Sequence, residues 1–181
     1  MITKMKFPET MKAAILAKQD SPLIVDKVQL PRSLDIGQVL VKLNVSGICG
    51  SQLGEIDGKK GKDPYLPHLM GHEGCGEVLA IGPGVKTIEV GNKVVLHWKR
   101  GSGIQSETPK YKWRGKDLNA GWVTTFNEFA IVSENRCTSI SKDISNDDAA
   151  LFGCAVTTAF GVVENNAKLR LGESVIVYGA G

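Results

Sequence analysis

The chain has 181 residues, of which 42% are hydrophobic and 23% are charged, and its formal net charge is +3. These values suit one globular domain of ordinary size with room for part of a second, and they exclude a wholly disordered chain. The small net charge gives no general reason to expect a nucleic-acid or membrane partner. No stretch approaches 18 apolar residues and no signal-peptide core begins the chain, so we expect a cytoplasmic protein.

Short segments rich in Val, Ile and Leu predict strands through the first two-thirds of the chain. Gly, Pro, Asn or Asp bounds each of them, as turns between strands require. The segments cover residues 11–18, 23–30, 38–48, 76–82, 92–98 and 127–132. Many short strands separated by turns favour a small barrel or sandwich.

The stretch "MGHEGCGEVLAIGPG" at residues 70–84 places His72 and Glu73 among closely spaced glycines. Glycine allows positive φ angles and close backbone approach. This density predicts a bend that points the side chains of His72 and Glu73 in a particular direction.

Residues 97–121 form a long polar segment in which Trp98, Tyr111 and Trp113 alternate with Lys and Arg. Such a mixture is compatible with a nucleic-acid surface and with a solvated loop or lid. Glu107 and Asp117 dilute the positive charge, and no nucleic-acid motif accompanies it. The segment is therefore predicted to be a loop or lid, with no nucleic-acid partner.

The pattern changes to helical from Ser145, which is followed by Asp148 in a weak form of the capping box. Residues 155–167 continue at helical length, and 175–178 ("VIVY") predict a buried strand that runs into Gly179 and Gly181. A strand followed by two glycines is how a dinucleotide-binding βαβ unit begins. An ordinary strand-to-loop turn fits these residues equally well.

Four cysteines lie far apart, and a disulfide framework is not expected in a cytoplasmic chain. Cys49, His72 and Cys154 could supply two thiolates and an imidazole, a set that suits zinc with an open fourth position. Taken singly, residue type favours a hydrogen-bonded structural role for His72 and a small buried apolar role for each cysteine over a role as a metal ligand. Cys75 and Cys137 are predicted to be small residues on or near strands.

Three motifs resemble segments of the zinc-containing medium-chain alcohol dehydrogenases. Residues 71–85 are similar to the family signature around its histidine ligand, and "GICGS" at 47–51 resembles the first-ligand segment. Residues 151–181 resemble the third-ligand helix and the nucleotide-binding strand that follows it. The motifs occur in the family's order, and the resemblance covers nearly the whole chain.

The resemblance implies a mainly β fold: a GroES-like barrel catalytic domain with a few helices over residues 1–150. Residues 151–181 would be the linking helix and first strand of an incomplete Rossmann domain. Family members are about twice as long, so the chain is expected to be inactive alone, and the full-length protein is expected to be a homo-oligomer. The implied reaction is hydride transfer between a small alcohol, aldehyde or ketone and NAD or NADP.

Site residues are implied by position in these motifs. Cys49, His72 and Cys154 would bind one catalytic zinc ion, with Glu73 as the nearby carboxylate that tunes the metal shell. Ser51 would relay the substrate proton, and Thr158 would contact the nicotinamide. Gly179 and Gly181 would belong to the loop that binds the pyrophosphate.

Three departures from the family qualify this assignment. Gln52 stands where many relatives have an aspartate behind the metal site, and Gly54 stands where some have a relay histidine. Residues 97–121 contain no cysteine, so no structural zinc is expected. Two alternatives remain at this stage: a zinc-free quinone or enoyl reductase relative, and a non-catalytic GroES-like binding or assembly module.

Overall fold

The computed structural model describes residues 7–179, and the chain there forms two antiparallel sheets and a few short helices. The strands are β1 Thr10–Leu16, β2 Ile24–Gln29, β3 Gln38–Ser46, β4 His68–Leu69, β5 Glu73–Ile81, β6 Lys93–His97, β7 Tyr111–Trp113, β8 Lys116–Leu118, β9 Phe129–Ser133 and β10 Cys137–Ser139. The α-helices are α1 Gly50–Ile56, α2 Asn146–Leu151 and α3 Ala155–Gly161.

The first sheet has the strand order β4-β1-β2-β7-β8, and the second has the order β10-β6-β5-β3-β9. In the second sheet, β3 lies between β5 and β9, and its first four residues are buried. Register shifts between Leu40 and Val41 and between Leu43 and Val45 interrupt its pairing with β5. Irregularities of this kind bend a strand, which suits a curled sheet.

All six predicted strands are confirmed, because each coincides with one of β1, β2, β3, β5, β6 and β9. The predicted helix start is confirmed as well: Ser145 Oγ accepts a hydrogen bond of 3.1 Å from Asp148 N at the start of α2. The later helical stretch forms α3 and continues as a π-helical turn over Val162–Asn166.

The prediction of a loop or lid over residues 97–121 is wrong for the β7–β8 hairpin, which extends the first sheet. Arg114 and Gly115, both with positive φ, make its turn, as a two-residue hairpin requires. Tyr111 is fully buried, and its hydroxyl accepts a hydrogen bond of 3.1 Å from Ile131 N. On the outer side, Arg114 pairs with Asp26 at 2.9 Å, so part of the basic charge is already neutralised within the chain.

The strand predicted at residues 175–178 is not formed in the described part of the chain. Its side chains are exposed, from 60% at Val175 to 88% at Tyr178, and no pairing with another strand is seen. A single apolar strand has no ladder partner for its backbone and no surface on which to pack. Gly181 lies outside the described residues.

Glu134 is a buried carboxylate that ties two loops to the second sheet. Its Oε1 accepts hydrogen bonds from Lys86 N, Thr87 N and Thr87 Oγ1 at 2.7–2.9 Å, and its Oε2 accepts one of 2.8 Å from Ile104 N. Burial alone would raise the pKa of Glu134, but these donors outweigh it and lower the pKa to about 2.

We expect Glu134→Gln to destabilise the fold at pH 7 by about 3 kcal/mol, because a neutral amide replaces a carboxylate held by four donors. The folded pKa lies below the ordinary value of 4.5, so this contribution is complete above pH 4.5 and is lost as pH falls toward 2. Urea unfolding at pH 7 and pH 3 should therefore show a difference between the variant and the native chain that shrinks at pH 3. The control is Glu128→Gln, because the Glu128 carboxylate accepts an exposed hydrogen bond from Lys12 N. An equally large loss of unfolding free energy in this control would contradict the account.

Candidate metal centre

Cys49 lies where β3 ends and α1 begins. Its backbone is extended, with φ −87° and ψ 145°, and α1 starts at the next residue. The preceding turn is held to the start of β5, because Gly47 N and Ser46 Oγ both donate to Glu73 O at 3.2 Å. These contacts place the Cys49 thiol beside the end of β5 that carries His72.

The conformation of the preceding glycine sets the direction of the His72 side chain. Gly71 has φ +90°, and a Cβ at that position would lie 2.8 Å from Phe126 N. The Gly71 amide donates a hydrogen bond of 2.5 Å to Gln52 Oε1, which links it to α1. This is the bend that the glycine-rich stretch predicts.

Cys154 lies immediately before α3, in the non-helical conformation φ −144°, ψ −61°. Gly153 packs directly on β5, since a Cβ there would approach Glu73 Cα within 2.8 Å and Glu73 Cβ within 2.7 Å. The close approach of this glycine brings Cys154 onto the same end of β5.

The structure therefore brings together three residues that are distant in the sequence. One ligand atom from each of Cys49, His72 and Cys154 lies within 4.8 Å of the other two, and the two Sγ atoms are 4.0 Å apart. Both cysteines are free thiols, and all three residues are partly buried. Two sulfurs and one imidazole nitrogen are a ligand set that could hold a zinc ion and leave its fourth position open.

The electrostatics of the three groups fit a cation. The Ser51 hydroxyl donates to Cys49 Sγ at 3.4 Å, and this bond, together with the Ser51 backbone amide, lowers the pKa of the Cys49 thiol. Burial, followed by the charge of Cys49, raises the pKa of Cys154, as expected when two thiolates face each other without a metal. Burial lowers the pKa of His72, which favours the neutral imidazole that can act as a ligand.

His72 Nε2 gives the most specific sign of a missing partner. It is buried and has no hydrogen-bond partner between residues 7 and 179. Buried polar atoms in folded proteins are almost always paired, so an orphan beside two thiols points to an ion as its partner. The residues present therefore fit a zinc ion.

Glu73 is buried, with 3% of its surface exposed, and it connects the elements that carry the cysteines. Its Oε2 accepts a hydrogen bond of 3.1 Å from Ala155 N at the start of α3. On the other side, a Cβ on Gly47 would lie 2.7 Å from Glu73 Oε1, so the first-ligand turn packs against the same carboxylate. The contacts of Glu73 thus position Cys49 and Cys154 relative to each other.

The other predicted site residues lie at different distances from the three candidate ligands. Ser51 lies at the centre through its bond to Cys49, and Thr158 Oγ1 lies 4.0 Å from Cys154 Sγ. Gly179 has φ +75°, and a Cβ at that position would have no atom within 4 Å.

Sequence reasoning did not find the contributions of Gln52 and Gly153. Gln52 was noted only as a departure from the family, yet it is buried and bonds both the Gly71 amide and Glu55 Oε2. A glycine directly before Cys154 was a usable signal, because a cysteine held close to a strand needs a small neighbour.

Comparison with known proteins identifies the family to which the chain belongs. The profile of the alcohol dehydrogenase GroES-like domain matches residues 35–142, which is more than half of the chain. The chain belongs to this family. The resemblance seen in the motifs and the mainly β, GroES-like fold are both confirmed.

Individual relatives agree with this placement. The chain is 31% identical to alcohol dehydrogenase 6 of Peromyscus maniculatus, over 94% of this chain and 51% of that protein. It is 27% identical to S-(hydroxymethyl)glutathione dehydrogenase of Synechocystis sp., over 94% and 52%. The crystal structure of an alcohol dehydrogenase zinc-binding domain protein from Burkholderia ambifaria matches with a TM-score of 0.78 at 25% identity, over 91% of this chain and 51% of that one. The chain thus spans about half the length of these relatives.

Between residues 7 and 179, no helix is both long and apolar enough to cross a lipid bilayer.

Ser51→Ala should raise the pKa of the Cys49 thiol in metal-free protein, because the largest contribution that lowers this pKa is the Ser51 side-chain bond. The rate at which iodoacetamide alkylates Cys49 is measured by peptide mass spectrometry across a pH series. The pH at which this rate rises should be higher in Ser51→Ala than in the native chain. Ser141→Ala serves as the control, because within residues 7–179 this exposed hydroxyl is bonded to Asp143 and lies in a different loop from Cys49. Superimposable Cys49 profiles for native and Ser51→Ala protein would show that this hydrogen bond is unimportant.

Proposed function

We propose that this chain is the catalytic part of a zinc- and NAD(P)-dependent alcohol dehydrogenase, acting on a small alcohol or carbonyl compound. The observation that carries the proposal is the convergence of Cys49, His72 and Cys154, with His72 Nε2 buried and unpaired within residues 7–179. A structural site would have closed the coordination shell with a fourth side chain, whereas three ligands leave room for substrate.

Each residue has a separate task in this proposal. Zinc held by Cys49, His72 and Cys154 would act as a Lewis acid that polarises the substrate oxygen. The Ser51 hydroxyl, beside Cys49 Sγ, would take the substrate proton and pass it outward. With Gly54 at the position of the relay histidine, the proton would leave through water. Glu73 would hold the two cysteines in fixed positions relative to each other through its bond to Ala155 N.

The cofactor would bind on the side of α3. We propose that residues 151–181 are the linking helix and first strand of a nucleotide-binding Rossmann domain, with Thr158 at the nicotinamide and Gly179 and Gly181 at the pyrophosphate. The exposure of apolar side chains in this region supports the proposal. They include Phe160 (61%), Val162 (52%), Leu171 (107%), Val175 (60%), Ile176 (75%), Val177 (69%) and Tyr178 (88%). Surface of this kind is normally covered by another part of the protein.

The experiment is an assay of the polypeptide translated from the whole gene, containing this chain. It should bind one zinc ion through this site and oxidise members of a panel of primary and secondary alcohols with NAD or NADP, followed by the absorbance of the reduced nicotinamide. Ser51→Ala should lower kcat by about a hundredfold or more, because proton transfer by a positioned group contributes that much. This chain alone should bind zinc and transfer no hydride.

Three outcomes would contradict the proposal. Reduction of quinones or enoyl compounds that is unaffected by Cys49→Ser would indicate the zinc-free reductase instead. Absence of both zinc and nicotinamide binding would indicate a non-catalytic assembly module. A zinc-loaded protein that binds NAD(P) but oxidises no alcohol in the panel and reduces no aldehyde or ketone would also refute it.

A further inference from the structure

Arg136, in the turn between β9 and β10, is a buried cation without a partner among the described residues. It is 6% exposed, and its Nε atom is buried and unpaired. The guanidinium group forms no hydrogen bond or ion pair within residues 7–179. Buried charges in folded proteins are normally paired, and arginine cannot lose its proton to avoid the cost of burial. The N–H donors of Arg136 are therefore available to a ligand.

The carboxylate nearest in sequence does not neutralise this charge. Glu134 lies two residues earlier, but its two oxygens accept the four hydrogen bonds from residues 86, 87 and 104 described above. The charged neighbour that acts on Arg136 is a second cation, Arg100. Burial first and the charge of Arg100 second lower the pKa of Arg136. Two neighbouring guanidinium groups create a positive potential that attracts anions.

The contact of Arg136 with Trp122 leaves the edge of the guanidinium open. The central carbon of the guanidinium lies 5.8 Å from the centroid of the Trp122 ring, a cation–π contact. Such a contact occupies a face of the guanidinium, whereas its N–H donors point outward in the plane of the group. That planar fork matches the oxygen pair of a carboxylate or phosphate group.

A second arginine of the chain shows the same arrangement with an anion in place. Arg114 lies 4.6 Å from the centroid of the Trp113 ring, and its Nε and Nη2 donate to Asp26 Oδ2 at 3.1 and 2.9 Å. The pair of Arg136 and Trp122 has the cation and the ring but no carboxylate within residues 7–179. The comparison indicates which group fits beside Arg136, namely an oxyanion.

The backbone brings Arg100 close to Arg136 and leaves a path from solvent. Gly101 N donates a hydrogen bond of 2.7 Å to Asn135 O, so each arginine is the chain neighbour of a bonded residue. A cleft of about 330 Å³ lies beside them and is lined in part by Lys99 and Arg100, both of which are exposed. A small molecule in this cleft could place a charged group between the two arginines.

We propose that Arg136 and Arg100 bind the oxyanion of a small molecule, a phosphate or carboxylate group, beside the ring of Trp122. Arg136 would supply the buried planar fork, and Arg100 would supply the second charge from the rim of the cleft. The inference goes beyond the proposed function and does not depend on it, since neither arginine belongs to the candidate zinc site.

The test follows the NMR resonance of the Arg136 Nε–H group in zinc-loaded protein as sodium phosphate is added at constant ionic strength. We expect a saturable shift of this resonance. In Arg100→Gln the affinity for phosphate should fall at least tenfold, because one charge-assisted hydrogen bond contributes that much. The matched control is Arg114→Gln, which removes the same charge from the pair with Asp26 and should bind phosphate as the native chain does.

Thermal unfolding gives a second measurement. Phosphate should raise the melting temperature of the native chain and of Arg114→Gln, because a ligand that binds only the folded state stabilises it by mass action. It should leave the melting temperature of Arg136→Gln unchanged. If Arg136→Gln does not fold, Arg100→Gln still tests the site, since Arg100 is exposed and its replacement leaves the core intact.

A parallel titration with sodium acetate identifies the ligand group. Tighter binding of phosphate would indicate a phosphorylated compound, and tighter binding of acetate a carboxylate compound. Absence of a saturable shift with both anions, or equal affinity in Arg100→Gln and Arg114→Gln, would overturn the proposal.

Cys154→Ser separates this proposal from the proposed function. Loss of zinc in that variant should leave the phosphate-dependent shift of Arg136 intact. Phosphate binding that disappears together with zinc would place the anion on the metal and would overturn the assignment to Arg136 and Arg100. A full-length protein without dehydrogenase activity would leave the result at Arg136 unaffected.

Discussion

Cys49→Ser and Cys154→Ser are each expected to reduce bound zinc from about one equivalent per chain to close to zero after dialysis against a weak chelator. Removal of either thiolate leaves two protein ligands, too few for a stable zinc site. Among residues 7–179 the group of potential ligands at this place consists of Cys49, His72 and Cys154, and Glu73 Oε2 is engaged with Ala155 N. The measurement is zinc by inductively coupled plasma mass spectrometry, normalised to protein.

Cys75→Ser is the matched control for these variants. Cys75 is fully buried on β5 and lies close to the site in sequence, but its thiol contacts Asn146 Oδ1 at 3.7 Å and no ligand. The control should keep its zinc while losing some stability. Zinc retained at native level in Cys49→Ser or Cys154→Ser would remove the basis of the proposed chemistry.

Gly153→Ala is expected to destabilise the fold by about 3 kcal/mol and to weaken zinc binding as well. The new Cβ would meet the Leu96 carbonyl and would lie 2.8 Å from Glu73 Cα, and neither backbone atom can move without shifting a central strand. Relief therefore requires α3 to move away from β5, which carries Cys154 away from His72. Urea unfolding and zinc affinity measured by competition with a chromophoric chelator report the two effects.

The control is Gly161→Ala at the end of α3. Gly161 has helical angles, φ −60° and ψ −38°, and a Cβ there meets only Asn165 Nδ2 at 4.0 Å. Alanine is favoured over glycine in a helix by up to about 1 kcal/mol, so this variant should be as stable as the native chain or more so. Equal stability and zinc affinity for Gly153→Ala and Gly161→Ala would show that the close contact with β5 is unimportant.

Much of the barrel could be predicted from sequence because its signals are local. Short apolar segments bounded by turn residues correspond to the observed strands, and Ser145 with Asp148 marks the start of α2. Tyr111 shows the limit of local reasoning: it stands among lysines, yet its ring belongs to the core because the hairpin pairs with β2. Pairing with a distant strand overrode the local polar pattern.

The candidate zinc ligands were named from motifs rather than from spacing, since 105 residues separate Cys49 from Cys154. Their convergence depends on contacts that are only visible in the fold, such as the approach of Gly153 to β5. The strand expected at 175–178 is not formed in the described structure, because an apolar segment cannot form a sheet without a neighbouring strand.

X-ray absorption at the zinc edge of the zinc-loaded chain tests the central claim most directly. With Cys49, His72 and Cys154 as ligands, the spectrum should require two sulfur atoms at about 2.3 Å and nitrogen or oxygen at about 2.0–2.1 Å. A zinc ion surrounded only by nitrogen and oxygen, or by a single sulfur, would contradict the account.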